Sequence, residues 1–242
     1  MLVFVAAEAR EFSGLLRHAE RVVKLNWPLD FAGRIWLNGR AALLVANGPG
    51  PKLAAEAVEI AKGRERLTGI VSTGFCGALD PALKLSDIFI ATEILVGQAI
   101  LPAAGIPAGL GQAGSKAGSR QNCLPHQGAL LSTNHVAITA SEKSELHKTG
   151  ARAIEMEAAG VSEKAQQYNL PFYCIRVVTD TAAESLPLDF NQMRGAHGRF
   201  SRPKIIFAAL RRPAVFPKLL NFDKRCKNAA QALGDFIADT RF

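Results

Sequence analysis

The chain is short of the residues that mark several functional classes. It has four cysteines, Cys76, Cys123, Cys174 and Cys226, and no pair of them stands in a CxxC spacing. Zinc sites and redox motifs use that spacing, so neither a metal centre nor a disulfide framework is expected and the thiols are read as reduced. Long apolar runs are also missing. The most apolar stretch, residues 88–110, is interrupted by Glu93, two prolines and three glycines. That excludes a membrane span and fits a buried strand followed by a loop. The start MLVFVAAEAR carries no basic residues before its apolar run and does not read as a signal peptide; a cytoplasmic protein is expected. Acidic residues are nearly absent from one region. Between positions 194 and 228, ten Lys or Arg stand against one acid, Asp223, while the remainder holds 19 basic against 20 acidic residues. The net charge of +8 thus belongs to one C-terminal segment. That segment has no helix-turn-helix, zinc-finger or RNP pattern, so specific nucleic-acid recognition is not expected.

What is present suits one α/β domain. At 242 residues and 48% hydrophobic content, the chain has enough apolar side chains for a large core. LVFVAA near the start reads as a central buried strand. A helix is expected over residues 9–21, and a hairpin around Asn38-Gly39, which suits a type I′ turn. LAAEAVEIAKG reads as a helix stopped by Gly63. GIVSTG and residues 87–96 read as strands, GLGQAGSKAGS as a loop and residues 129–140 as strand-like. A short helix over 141–148 has Ser141 as its expected N-cap. Residues 153–156 precede a helix over 157–168, PFYCIRVV is another buried strand, and the rest is helical with proline breaks. Alternating strands and helices indicate a mostly parallel or mixed sheet. Ligands of such sheets sit at the carboxyl ends of strands, which singles out residues 7–11, 47–52, 72–77, 155–157 and 179–181.

Taken singly, the motifs leave alternatives open. NGPGPK, with Gly48 and Gly50, is either a glycine turn before a Pro-started helix or an anion site; it lacks the third glycine and the Lys-Ser or Lys-Thr of the familiar phosphate loops. In ARAIEMEAAG, Glu155 and Glu157 flank Met156 among apolar neighbours, and such carboxylates either face solvent or hold something. Asp180 closes CIRVVTD as an N-cap, a hydrogen-bond acceptor or a functional acid. His135 reads as a surface histidine.

The joint pattern narrows this. STGFCGALDPALKLSDI at Ser72, IEMEAA at Ile154 and IRVVTD at Ile175 occur in this order. Together they resemble the nucleoside phosphorylase and nucleosidase superfamily, especially its methylthioadenosine/S-adenosylhomocysteine nucleosidase branch, over residues 1 to about 189. The resemblance implies a three-layer α/β/α fold around a mixed, partly barrel-like sheet. It also implies an enzyme that cleaves the bond between ribose and a purine. By resemblance, Glu157 accepts hydrogen bonds from the ribose hydroxyls, Met156 packs on the sugar and base, and Glu155 supports them. Asp180 is the proton donor to the leaving base, and Thr179 orients it. Phe75 and Val136 fall among the substrate-binding positions, and Arg176 faces the nucleophile side. Glycosidic cleavage needs such residues, because the sugar becomes cationic while the base takes up negative charge. Glu157 and Asp180 occurring together argue against a decayed scaffold.

The departures concern the nucleophile. Ser72 and Phe75 stand where phosphorylases carry phosphate-binding arginine and serine. Yet Arg10 falls where they keep their first phosphate-binding arginine, and Glu11 falls where nucleosidases keep the base that activates water. Adjacent helical positions point about 100° apart, so one of the two is expected to face the nucleophile, and the sequence leaves open which. With Arg10, Arg176, Gly48 and Gly50 as an anion site, the expectation leans to phosphorolysis, with inorganic phosphate as co-substrate and no other cofactor. Hydrolysis is the alternative. The chain is read as a single domain over 1–242 with a basic, apolar helical extension from about 194. That extension resembles the hopanoid-associated phosphorylase branch, which implies a 5′-substituted and lipid-linked adenosine and a peripheral membrane contact; a solvated basic face is the other reading. A homodimer or higher homo-oligomer is expected.

Overall fold

The computed structural model describes residues 1–97, 99–103, 125–195 and 198–242. Its strands are β1 (Leu2–Ala6), β2 (Arg21–Lys24), β3 (Phe31–Leu37), β4 (Arg40–Ala46), β5 (Gly69–Ala78), β6 (Ile88–Val96), β7 (Ala99–Pro102), β8 (His126–Ser132), β9 (Ala153–Glu155) and β10 (Phe172–Asp180). The helices are α1 (Ser13–His18), α2 (Pro51–Arg64), α3 (Ala140–His147), α4 (Ala158–Gln167), α5 (Arg202–Arg211) and α6 (Phe216–Asp239).

All ten strands form one mixed sheet in the order β10-β6-β8-β9-β5-β1-β4-β3-β2, with β7 beside β6. Because β10 also pairs with β5, β5, β9, β8, β6 and β10 close into a five-stranded ring. This is the partly barrel-like sheet that the resemblance implied. Strand β5 joins the two parts: Gly69–Ser72 lie against β1 in the open part, and Gly77 and Ala78 against β9 in the ring.

Strand β1 shows why the central strands read as unbroken apolar runs. Val3 and Val5 enter one core, with Val58 of α2 and Val161 of α4. Phe4 and Ala6 enter the other, with Leu15 of α1 and Leu233 of α6. A sheet covered on both faces buries both side-chain rows. The helices above and below complete three layers.

Several boundaries differ from the sequence reading. The helix expected over 9–21 is a 3₁₀ turn, Ala9–Phe12, then α1, and the chain turns into β2 by Arg21. Helix α2 runs through Gly63 to Arg64. The strand expected over 129–140 begins at His126 and ends at Ser132. Helix α3 is capped by Thr139, not Ser141, its side chain accepting from the Glu142 N–H. The GLGQAGSKAGS loop lies outside the described residues.

The basic C-terminal segment is not a mere appendage. The latter half of α6 buries Cys226, Ala229, Ala230, Leu233 and Ile237. Helix α6 reaches α1 backbone to backbone at two glycines. A Cβ on Gly14 would sit 2.1 Å from the Ala230 carbonyl oxygen, and one on Gly234 would sit 2.1 Å from the Gly14 carbonyl carbon. No helix among the described residues is long and apolar enough to cross a membrane.

Gly234→Ala is therefore expected to destabilise the fold by about 2 kcal/mol or more, since neither backbone can yield. Urea unfolding measures this; an unchanged midpoint would show that the two helices separate freely.

Candidate active site

The carboxyl ends of the strands surround a cavity of about 470 Å³. Asp180, Glu157, Glu11, Met156, Glu155, Phe75, Val136, Thr179 and Arg10 all line it. Arg176, Gly48 and Gly50 are not among its lining residues; Arg176 is fully buried, and Gly50 lines a second cavity beside α2.

Arg176 is fully buried on β10. Its Nη1 donates to the Thr73 carbonyl at 2.9 Å and its Nη2 to Ser72 Oγ at 2.6 Å. The same guanidinium pairs with the Glu155 carboxylate and lies 3.6 Å from Glu157 Oε2. Arg176 thus ties β5, β9 and the start of α4 to β10 and has little left to offer a ligand.

Glu155 and Glu157 divide the work. The Glu155 carboxylate accepts from the N–H groups of Glu157 (2.8 Å) and Ala158 (2.9 Å), so it caps α4 while pairing with Arg176. Glu157 Oε1 accepts from the Gly50 N–H at 3.1 Å. The glycine turn before α2 does donate to an acidic group, and it is the carboxyl of Glu157. Gly48 and Gly50 adopt φ of 103° and 109°, which explains the glycines of NGPGPK without a phosphate.

The neighbours Arg10 and Glu11 point apart. Glu11 is buried, its carboxylate accepting from the Glu8 N–H (3.0 Å) and the Phe75 N–H (3.3 Å). Gly74 makes room for it: at φ 134°, a Cβ there would lie 1.8 Å from Glu11 Oε2. Arg10 is half exposed on the rim, paired with Glu8 at 2.7 Å, 3.9 Å from Asp223 and stacked over the Phe75 ring.

Three carboxyls, Glu11, Glu155 and Glu157, therefore surround one buried guanidinium. Burial pushes Glu11 up to about 7, the Glu8 charge adds to this, and Arg176 partly offsets it. Burial, then the Glu155 charge, raises Glu157 in the same way.

Asp180 sits across the cavity. Burial raises its pKa, and Lys143 and Thr179 pull it back. Lys143, fully buried on α3, forms an ion pair with Asp180 Oδ2. Nothing in the sequence pointed to Lys143, an ordinary lysine in a short helix. Nor did it point to Phe190, just before the basic segment, or to Phe200, Ile205 and Phe222 within it, which build an apolar wall of the cavity; for the last three the only signal was apolar residues among the bases. His135 is on the rim, with Nε2 2.7 Å from Glu142. Among the described residues no group of three or more His, Cys, Asp or Glu is placed to hold a metal ion.

The sequence pattern of a known family, described as the phosphorylase superfamily, matches residues 30–199, more than two thirds of the chain. The chain belongs to the phosphorylase superfamily. It is an enzyme of the nucleoside phosphorylase and nucleosidase class. The 5′-methylthioadenosine/S-adenosylhomocysteine nucleosidase of Psychromonas ingrahamii is 31% identical over 174 residues, covering 64% of this chain and 75% of that protein. The nucleosidase of the same name from Geobacillus kaustophilus is 27% identical over 173 residues, covering 64% and 74%. In fold, the chain is similar to the Neisseria meningitidis 5′-methylthioadenosine/S-adenosylhomocysteine nucleosidase solved with methylthio-immucillin-A. That match has a TM-score of 0.72 at 22% identity and covers 98% of this chain and 96% of the other.

Gly74→Ala in this superfamily member is expected to expel the Glu11 carboxylate from its niche, at a cost of about 1–3 kcal/mol. A ¹³C titration of the Glu11 carboxyl should then show its pKa fall from about 7 toward the ordinary glutamate range. A carboxyl still titrating near 7 would mean that Gly74 does not hold it.

Proposed function

We propose that the enzyme hydrolyses the N-glycosidic bond of a 5′-substituted adenosine, as a nucleosidase of the 5′-methylthioadenosine/S-adenosylhomocysteine type. The observation that carries this is the opposite orientation of Arg10 and Glu11: the carboxyl is buried in the cavity wall, where the resemblance expects the water-activating base, and the guanidinium is on the rim. A carboxyl whose pKa is lifted to about 7 is matched to taking a proton from water near neutral pH.

Each residue then has a chemical part. As the C1′–N9 bond breaks, positive charge grows on the sugar, and Glu157 stabilises it while accepting the ribose hydroxyls. A water gives its proton to Glu11 and its oxygen to C1′. Asp180 gives its proton to N7 of the leaving purine, so the base departs neutral. After release, the proton on Glu11 returns to Asp180 through solvent, and one water has been consumed. Met156, Phe75 and Val136 pack on the nucleoside. Thr179 holds Asp180, and Glu155 holds the start of α4 in place. The apolar wall of Phe190, Phe200, Ile205 and Phe222 suits an apolar 5′ substituent and does not require a lipid-linked one.

The sequence reading leaned to phosphorolysis, and this is its main correction. The relatives reported above carry nucleosidase names. The electrostatics favour the same side. A phosphate dianion entering beside Glu11 and Glu157 would find buried carboxyls and, among the described residues, no unengaged guanidinium. Arg10 is turned to Glu8 and Asp223, Arg176 is engaged by Glu155, Glu157, Ser72 and Thr73, and the α2 turn donates to Glu157. Phosphate accordingly has no part in the proposal.

Glu11→Gln should keep its fold and lose about 10²–10⁴-fold in turnover, the range of one general base. The native enzyme should release free sugar and adenine at full rate in phosphate-free buffer. Full activity of the variant, or sugar 1-phosphate formed only when phosphate is added, would overturn hydrolysis.

The C-terminal segment supports a further partner. Ile206, Phe207 and Leu210 on α5 and Phe216 and Leu220 on α6 are each more than half exposed. Arg211 stacks on Phe207 at 4.1 Å, and Arg212 and Lys218 are exposed nearby. Apolar side chains ringed by bases, with no acid before Asp223, complement an anionic bilayer surface, where each Lys or Arg is worth about 1 kcal/mol. Flotation with anionic vesicles should carry the protein up at low salt and release it as salt rises. Failure to float at low salt would leave the face solvated.

A further inference from the structure

Lys143 is the one lysine among the described residues that is fully buried. Removing a lysine from water is costly unless each of its donors is used, and here they are. Nζ pairs with Asp180 Oδ2 and donates to the carbonyls of Thr181 at 2.9 Å and Glu184 at 3.1 Å. An ammonium has three donors, so none remains. The other side of Asp180 is held differently. Thr179 Oγ1 lies 3.0 Å from Asp180 Oδ1 and 3.2 Å from the Cys76 carbonyl. The hydroxyl has one proton for two acceptors. It donates to Asp180 when that group is ionised. When Asp180 carries a proton on Oδ1, the hydroxyl accepts from it and donates to Cys76. Thr179 therefore accommodates both charge states of Asp180, whereas Lys143 distinguishes between them.

We infer that Lys143 is a positioning residue for the proton transfer at Asp180, fixing the orientation of the carboxyl and holding the strength of this acid against the effect of burial. This rests on the reading of Asp180 as the donor to the leaving base. Lys143 keeps its three protons throughout; the proton delivered to N7 is that of Asp180, and no bond to Lys143 forms or breaks. Three elements and the loop that follows β10 bring charged or titratable groups to this carboxyl. They are Lys143 from α3, Cys76 from β5, Cys226 from α6, and Glu184 from the loop, itself paired with Arg225 of α6 at 2.6 Å. Lys143 is the cation in direct contact. Its removal should raise the proton affinity of Asp180, because an adjacent positive charge favours the ionised form.

The test compares Lys143→Met and Lys143→Gln with Asp180→Asn and the native enzyme. The glutamine keeps N–H donors for the two loop carbonyls, so it serves where the methionine fails to fold. Two substrates are used: an adenosine, whose base needs a proton to leave, and a 4-nitrophenyl riboside, whose leaving group does not. Both Lys143 variants should lose about tenfold or more on the adenosine and much less on the nitrophenyl riboside. The basic limb of kcat against pH for the adenosine should move up by about one unit or more, as expected when a carboxyl loses an adjacent cation. Equal losses on both substrates with an unmoved limb would reduce Lys143 to a structural staple and overturn the inference, as would unchanged rates. Asp180→Asn keeps the two claims apart. If it falls equally on both substrates, the reading of Asp180 as the acid fails. If it is selective while the Lys143 variants are not, only the Lys143 inference fails.

Discussion

The buried guanidinium of Arg176 is the interaction on which the site depends. It lies on β10, reaches Ser72 and Thr73 of β5, and pairs with the carboxylates of Glu155 and Glu157 where β9 passes into α4. The closed ring of strands brings these pieces to one point, and Arg176 gives the carboxyls a reason to stay there. Without it, Glu155 and Glu157 would be buried like charges with no cation between them, an arrangement proteins avoid by ejecting or neutralising the group. With it, the count is still one cation against three carboxyls once Glu11 is included. Burial first, and then Glu8 at Glu11 and Glu155 at Glu157, raise the proton affinity of both carboxyls, and Arg176 only partly offsets this. The same imbalance disfavours a phosphate dianion and suits a neutral nucleophile. One charge arrangement thus bears on the fold and on the proposed use of water, with Glu11 as its base.

Much of this was legible in the sequence, for identifiable reasons. Buried strands with both faces covered announce themselves as short apolar runs, and Leu2–Ala6 and Phe172–Asp180 lay within one residue or two of their expected ends. The Asn38-Gly39 hairpin followed from local turn chemistry: both residues have positive φ, 51° and 73°. Glu157 and Asp180, each open to a structural reading when taken singly, were singled out by the resemblance that the three ordered motifs carry.

What was not legible depended on distant contacts. The choice between Arg10 and Glu11 turns on Gly74, 63 positions away in the chain, whose missing Cβ leaves the space that the Glu11 carboxylate fills. The helix expected over 9–21 stops early because the chain must leave for β2 after α1 packs at Gly14 against α6, another long-range contact. Lys143 gave no sign of burial, since its neighbours Glu142 and Ser144 are those of a surface helix. Most of the aromatic wall was hidden in a segment whose basic charge drew attention to its outer face, while Phe200 and Phe222 turned inward to pack on Phe190, just before that segment, each at a ring separation of 6.0 Å.

The central claim is that burial beside Glu8, only partly offset by Arg176, sets the proton affinity of Glu11 as the proposed base. The pH dependence of kcat/KM, which reports groups of the free enzyme, tests it most directly with a 5′-alkylthioadenosine as substrate. A carboxyl lifted to about 7 is a competent base only above that value. The account therefore predicts that kcat/KM climbs through neutrality, as Glu11 at about 7 and then Glu157 ionise, and falls again further on the alkaline side where Asp180 loses its proton. A rate already level at about pH 5, as an ordinary glutamate would give, would contradict it.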